Sequence, residues 1–316
     1  MIDKRKLVLV GTGFVGMSMA YAILSQGSSS GVNELVLIDV QKDKAIGEAM
    51  DLSHGLPCSH SHMNIKAGDY DECSDADLVV IAAGFNQKPG QTRLELSTQN
   101  AIIMKDITEK VVASGFNGIF LIVTNPVDIM TKIVKEVSKF PPQKVIGSGT
   151  VLDTARFRFL LGEYFNVSSK NIHAYIMGEH GDSSFPLWEH AYVGCKKIID
   201  MVDDNSILDK IYINVRDSAY EIINRKKATY YGIGLGLAKI VRTIMNNTNE
   251  ILTVSTYLDN KYGQKDIYLG APVIINSNGA VELLELNLTQ EEQEKLNNSA
   301  NIINKHFENI KNLIEL

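Results

Sequence analysis

Cysteine is scarce in this chain of 316 residues: three, at positions 58, 73 and 195, with no CxxC pair. That excludes a disulfide-held scaffold and suits a reducing compartment, so a cytoplasmic location is expected. There is one tryptophan, and neither an internal repeat nor a low-complexity tract. No apolar run approaches the length of a membrane span, so no membrane partner is expected. The basic start, MIDKRK, runs through one short apolar stretch into a glycine turn, which is not how a signal peptide reads. Positive charge is in short supply too. Thirty-one Lys and Arg stand against 37 Asp and Glu, a formal net charge of −6. With no basic stripe, a nucleic-acid partner is not expected. What remains is an ordinary globular composition, 45% hydrophobic and 22% charged, on a chain long enough for two domains.

The organisation starts at KLVLVGTGFVG. Leu7 to Val10 form an apolar run cut off by glycine, as a strand buried on both faces reads. Gly11-x-Gly13-x-x-Gly16 follows, and then a helical pattern through Ala20, Ile23 and Leu24. Gly11 suits a tight turn, Gly13 a close approach of backbone to a pyrophosphate, and Gly16 close helix–strand packing. The helix N-terminus behind them offers free N–H groups to phosphate. A second buried strand, ELVLIDV, brings Asp39 roughly 20 residues past the last glycine, where such folds place a ribose-binding carboxylate. A carboxylate there repels a 2′-phosphate, so NAD is favoured over NADP. Lys44 reads either as a contact to that ribose or as a solvated helix lysine. The cluster His54, Cys58, His60 and His62 matches no zinc spacing and reads as a surface loop, so no metal is expected.

Further strands are expected at 77–84 and 118–123, and a last short one at 145–146. Between them, NQKPGQTR from Asn86 to Arg93 reads as a loop over the crevice at the carboxyl end of a parallel strand. Arg93 is then either a residue delivered by a closing lid or a solvated helix start. Asn125, followed by Pro126, either donates its amide to a carbonyl oxygen or forms an Asx-type turn. On the helix expected at 151–164, Asp153 and Arg156 share a face, as a site pair or a surface i,i+3 salt bridge; Arg158 points to the other side. IHAYIMGEHGDSSFPLW, residues 172–188, sets His180 between glycines with acids on both sides, which is neither core-like nor helical and reads as a functional loop. Asp153 folded against it would fix its tautomer and keep it protonated, ready to give a proton to a carbonyl oxygen. Helices are expected at 207–224 and 228–243, strands at 251–258 and 273–276. A final helix opens on a capping box from Thr289 to Glu292, with an apolar stripe of Leu296, Ala300, Ile303, Phe307 and Ile310 for core or subunit contact. The fold class expected is α/β: a Rossmann doubly wound parallel sheet over 1–147, followed by a mixed α+β substrate domain over 148–316.

Taken together, GTGFVG, NQKPGQTRLEL, VTNPVDI, GSGTVLDTARFR, GEHGDSSFPLW, KATYYGI and ILTVSTYL resemble the bacterial L-lactate dehydrogenases and, more loosely, the malate dehydrogenases, over essentially the whole chain. The resemblance implies NAD as cofactor and pyruvate/L-lactate as substrates. It makes His180 the acid–base residue paired with Asp153. Arg156 becomes a two-pronged grip on the substrate carboxylate. Arg93 polarises the ketone, with Asn125 and Thr229 beside the substrate. Cofactor contacts fall on Gly11, Gly13, Phe14, Val15, Gly16, Asp39, Gly84, Phe85, Val123, Thr124, Asn125 and Ser148, with Lys44 and Tyr70 at its edge. Gln87 stands where malate-specific relatives carry arginine, which implies pyruvate over oxaloacetate. Arg158 and His173 match residues that bind fructose 1,6-bisphosphate at a subunit interface, which implies allosteric activation of a homotetramer. Lys227 stands where the family commonly has glycine, an exchange expected to alter the helix entry near Thr229. Competing readings are another 2-hydroxy-acid dehydrogenase, an NAD-dependent glycosidase, and a non-catalytic dinucleotide-binding protein.

Overall fold

A computed structural model describes residues 5–85 and 93–314. Six parallel strands form its centre: β1 (Lys6–Val10), β2 (Glu34–Ile38), β3 (Asn64–Ala67), β4 (Leu78–Ile81), β5 (Ile119–Ile122) and β6 (Val145–Gly147). They lie side by side as β3-β2-β1-β4-β5-β6, so the order reverses between β1 and β4. That is the doubly wound arrangement, with its crevice outside the carboxyl ends at the reversal. All five residues of β1 are buried, and its faces divide the core. Leu7 and Leu9 pack with α1 (Phe14–Gln26); Val8 and Val10 pack with α3 (Arg93–Ala113) and α4 (Val127–Ser138). Gly11 has φ +101°, and a Cβ there would meet Ala83 N at 2.6 Å. A Cβ at Gly16 would strike Gly11 O at 2.4 Å, so α1 can lie on β1 only as glycine allows. The helix α2 (Lys42–Gly55) follows β2.

The second half begins with α5 (Val151–Phe165). The stretch expected as a loop at 172–188 contains short strands: β7 (Ile172–His173), β8 (Ile176–Met177) and β9 (Phe185–Pro186). β8 and β9 pair antiparallel and close the base of a loop that projects His180. β7 pairs with β10 (Tyr192–Val193), which pairs with β11 (Lys196–Lys197). The helices α6 (Ser206–Lys226) and α7 (Tyr231–Met245) lead to an antiparallel meander of β12 (Glu250–Leu258), β13 (Ile267–Asn276) and β14 (Gly279–Leu283). This meander extends the parallel sheet past β6 into nine strands. The join is one register pair, Ser255 opposite Gly147. The last helix, α8 (Gln290–Leu313), has both halves of its capping box in place. Its apolar stripe from Leu296 to Ile310 is buried in the core on the α3 and α4 side.

The helix expected from 228 starts instead at Tyr231. Lys227 ends α6 as a left-handed C-cap, φ 71° and ψ −12°, with its N–H bonded to Ile223 O. The exchange at 227 therefore falls on the exit of α6. A residue with a Cβ is strained in this region by about 1–2 kcal/mol, partly offset by the extra freedom glycine has when unfolded. Lys227→Gly is expected to stabilise the protein by about 0.5 kcal/mol, raising Tm by about 1–2 °C in calorimetry. An unchanged or lower Tm would mean the strain is relieved elsewhere.

Candidate active site

The carboxyl ends of β1, β4, β5 and β6 converge on one crevice. At its cofactor side, Gly13 caps the N-terminus of α1 in an extended conformation, and no acidic side chain occupies the first turn. A Cβ built on Gly13 meets nothing within 4 Å, so the space a pyrophosphate requires is open. Asp39, just past β2, is held on the glycine turn. Its Oδ2 accepts from Thr12 N–H at 2.9 Å and the Thr12 hydroxyl at 2.8 Å, and its Oδ1 from Gln41 N–H at 2.9 Å. Burial pushes this carboxyl up, and the three hydrogen bonds, with Lys44 nearby, carry it below the usual carboxylate range. It is an ionised acceptor, as a ribose hydroxyl requires. Lys44 itself is exposed. Tyr70 is half-buried against the core, its phenol pushed up to about 12 by burial and nearby acids.

The crevice floor is tied together by a residue that the sequence reading did not single out. Asn100, on α3 and 2% exposed, accepts from Phe85 N–H at 2.8 Å and donates to Asn125 O at 2.9 Å. It thus joins the turn after β4 to the turn after β5. An amide among apolar positions at helical spacing is its only mark in the sequence. Thr124 adds a hydroxyl bond to Ala83 O at 2.6 Å, and Val123 N–H and Ser148 N–H bond back to Ile81 O and Ile122 O. Gly84, Phe85, Val123, Thr124, Asn125 and Ser148 are therefore brought to one edge of the crevice.

In the second half, His180 Nδ1 lies 2.8 Å from Asp153 Oδ2, and Arg156 Nη1 lies 3.3 Å from Asp153 Oδ1. The shared face of α5 so becomes an internal group, with side chains 26%, 15% and 13% exposed for His180, Asp153 and Arg156. Burial pulls the His180 imidazole down, but the charge and hydrogen bond of Asp153 more than reverse this, and it titrates above the usual histidine range. Burial pushes Asp153 up, and His180 with Arg156 carries it below the usual carboxylate range. The ring's Nδ1 is occupied by Asp153, which leaves Nε2 to hold or release a proton. Thr229 is partly buried in the junction between α6 and α7. The next residue, Tyr230, stacks on Phe14 with ring centroids 5.2 Å apart, so this junction reaches the glycine turn. Val15 packs on the core behind it. Arg93 opens α3. Gln87 and the rest of the expected lid, residues 86–92, lie outside the described residues.

Arg158 diverges from Arg156, as the helical spacing requires. Its Nε donates to Ala174 O at 2.9 Å and its guanidinium lies over the Tyr175 ring at 4.9 Å. It lines a cleft of about 780 Å³ together with His173, Lys170 and Lys239. Among the described residues, no cluster of three or more His, Cys, Asp or Glu could hold a metal ion, and no helix is long and apolar enough to cross a membrane.

A parallel sheet with a dinucleotide-type glycine turn, and a buried His–Asp pair in the half that follows it, points to a class, the NAD-dependent oxidoreductases. Within that class the chain belongs to the lactate/malate dehydrogenase family: residues 5–147 match the family's NAD-binding domain and residues 150–314 its alpha/beta C-terminal domain. It is 51% identical to an L-lactate dehydrogenase of Geobacillus sp. (strain WCH70), over 97% of this chain and 98% of that one. It is 52% identical to the L-lactate dehydrogenase of Geobacillus stearothermophilus, over 93% and 94%. Among solved structures, a lactate dehydrogenase from a Medee basin deep-sea metagenome library superposes with a TM-score of 0.95 at 48% identity, covering 98% of this chain and all of that one. The ligand-bound minor L-lactate dehydrogenase of Enterococcus mundtii gives 0.93 at 45% identity, covering 96% and 98%.

Proposed function

We propose that this protein is an L-lactate dehydrogenase that reduces pyruvate to L-lactate and runs the reverse reaction, with a cofactor half over 1–147 and a substrate half over 148–316. The observation that carries the mechanism is the 2.8 Å His180–Asp153 contact beside the dinucleotide crevice. A bound nicotinamide dinucleotide supplies the hydride. Everything else falls to the chain. Arg156 grips the substrate carboxylate with two parallel N–H bonds. Asp153 holds the imidazole by Nδ1, so Nε2 delivers the proton to the ketone oxygen as it becomes a hydroxyl. Arg93 stabilises the negative charge growing on that oxygen, with Asn125 and Thr229 beside it, in a site closed to water. The open space over Gly13 and the ionised Asp39 support NAD as the cofactor.

The test is NADH oxidation followed by absorbance, with pyruvate and oxaloacetate in parallel. Strong turnover of pyruvate is expected, and turnover of neither substrate would overturn the reading. Arg158 and His173 in one cleft support a second site for fructose 1,6-bisphosphate at a subunit contact of a homotetramer. Cationic groups facing each other across subunits repel until a polyphosphate bridges them. Fructose 1,6-bisphosphate is expected to lower the pyruvate KM about tenfold, on the scale of ordinary allosteric coupling. The same assay on Arg158→Gln is expected to lose the response, and unchanged kinetics in the parent at saturating effector would rule the site out.

A further inference from the structure

One buried carboxyl next to the acid–base residue has no part in the mechanism above. Asp128, in the first turn of α4, is 1% exposed. Its Oδ2 accepts from the main-chain N–H of His180 at 2.8 Å, and its Oδ1 accepts from the Ser255 hydroxyl at 2.6 Å. These two bonds join three parts of the molecule: α4 of the first half, the His180 loop, and β12. Ser255 is also the residue of β12 that pairs with Gly147 across the junction of the sheets. Among the described residues, Asp128 forms no ion pair with lysine or arginine.

A fully buried anion costs several kcal/mol unless its surroundings compensate it. Here burial pushes the Asp128 carboxyl up to about 6, against the pull of Ser255 and His180. A neutral acceptor would satisfy the same two donors without that cost, so the charge requires a reason. The nearby cation is the His180 imidazolium. Asp153 and Arg156 face it from α5, Asp128 faces it from α4, and Glu179 precedes it in its own loop, bonded to Ser183. From α6, Tyr212 closes the loop through Ser184 O.

We propose that Asp128 is a positioning residue for the reaction: its carboxylate fixes the main chain of His180 and supplies the second negative charge that keeps the imidazole protonated. The proposal rests on the reading of His180 as the proton donor. Asp128 acts only through His180 and does not touch the substrate.

The experiment follows the His180 ring directly, by NMR of 13C-labelled histidine in the complete protein, with the resonance assigned from its absence in His180→Gln. In Asp128→Asn the pH of half-protonation is expected to fall by about one unit, the order expected for loss of one nearby charge. In Ser255→Ala, Asp128 loses a donor and holds its charge less readily, so the midpoint is expected to move in the same direction by less. In steady-state assays, kcat for pyruvate reduction is expected to fall about tenfold in Asp128→Asn, with the fall starting at lower pH. The pyruvate KM is expected to change little, because Arg156 is untouched. A merely structural role would leave the titration where it is. If both variants fold and His180 titrates as in the parent, the proposal is overturned; if Asp128→Asn does not fold, Ser255→Ala decides. A parent protein that turns over no pyruvate would instead defeat the dehydrogenase reading, and the titration would still report whether Asp128 acts on His180.

Discussion

His180→Gln is expected to lower kcat for pyruvate reduction by about a thousandfold, the middle of the range for a positioned acid–base group. Glutamine can still bond to Asp153, so the loop keeps an anchor, but it has no proton to give at neutral pH. The pH profiles carry the sharper test. In the parent, the imidazole titrates above the usual histidine range because Asp153 outweighs the effect of burial. Pyruvate reduction, which consumes the imidazolium, should hold its rate below that raised value and fall as pH rises through it. Lactate oxidation needs the neutral ring and should rise over the same interval. In His180→Gln both limbs should vanish, leaving flat, low profiles measured by NADH absorbance. A variant that kept its alkaline limb would place the proton donor elsewhere.

Gln87→Arg is expected to turn the preference from pyruvate to oxaloacetate. The parent should favour pyruvate by about a thousandfold or more in kcat/KM, on the scale of ~4 kcal/mol. Oxaloacetate carries a second carboxylate into a closed site, and a neutral amide cannot neutralise it. An unpaired buried carboxylate costs several kcal/mol. Arginine removes that cost for oxaloacetate and, with pyruvate bound, leaves its own charge unpaired, so a single exchange both attracts one substrate and repels the other. Parallel kcat/KM measurements decide it, and a variant that still strongly preferred pyruvate would refute the assignment of this position.

The sequence was most readable where one local pattern decides the outcome. The run from Leu7 to Val10 is apolar throughout because both faces of β1 are covered, and Thr289 with Glu292 forms its capping box from neighbours in the chain. It was less readable where a distant contact decides. The strand expected at 273–276 begins earlier, at Ile267, where glycine and proline at 270 and 272 weaken a strand pattern. In the fold Pro272 pairs with Thr253, and Gly270 is required by Thr150, whose Oγ1 would lie 2.6 Å from a Cβ. β14 is a short edge strand with exposed positions, so it lacks a periodic signal. In the site, Asp153, Arg156 and His180 announce themselves by spacing and glycine context. Asp128 and Asn100 do not. An acid at a helix start and an amide in a long helix are common, and only the tertiary fold turns one toward His180 N–H and the other toward two turns of the crevice.

The sheet has a bearing on how freely such chains can exchange parts. The cofactor half ends on β6, and β12 of the other half covers that strand, with Ser255 opposite Gly147 as the one register pair between them. A Cβ at Gly147 would lie 2.7 Å from Ser255 Cβ, so the seam tolerates no bulk. A recombinant that grafts a different second half onto this dinucleotide fold must bring its own strand to cap β6, with a small residue at the crossing. Otherwise a bare hydrogen-bonding edge is left open to pairing with other chains.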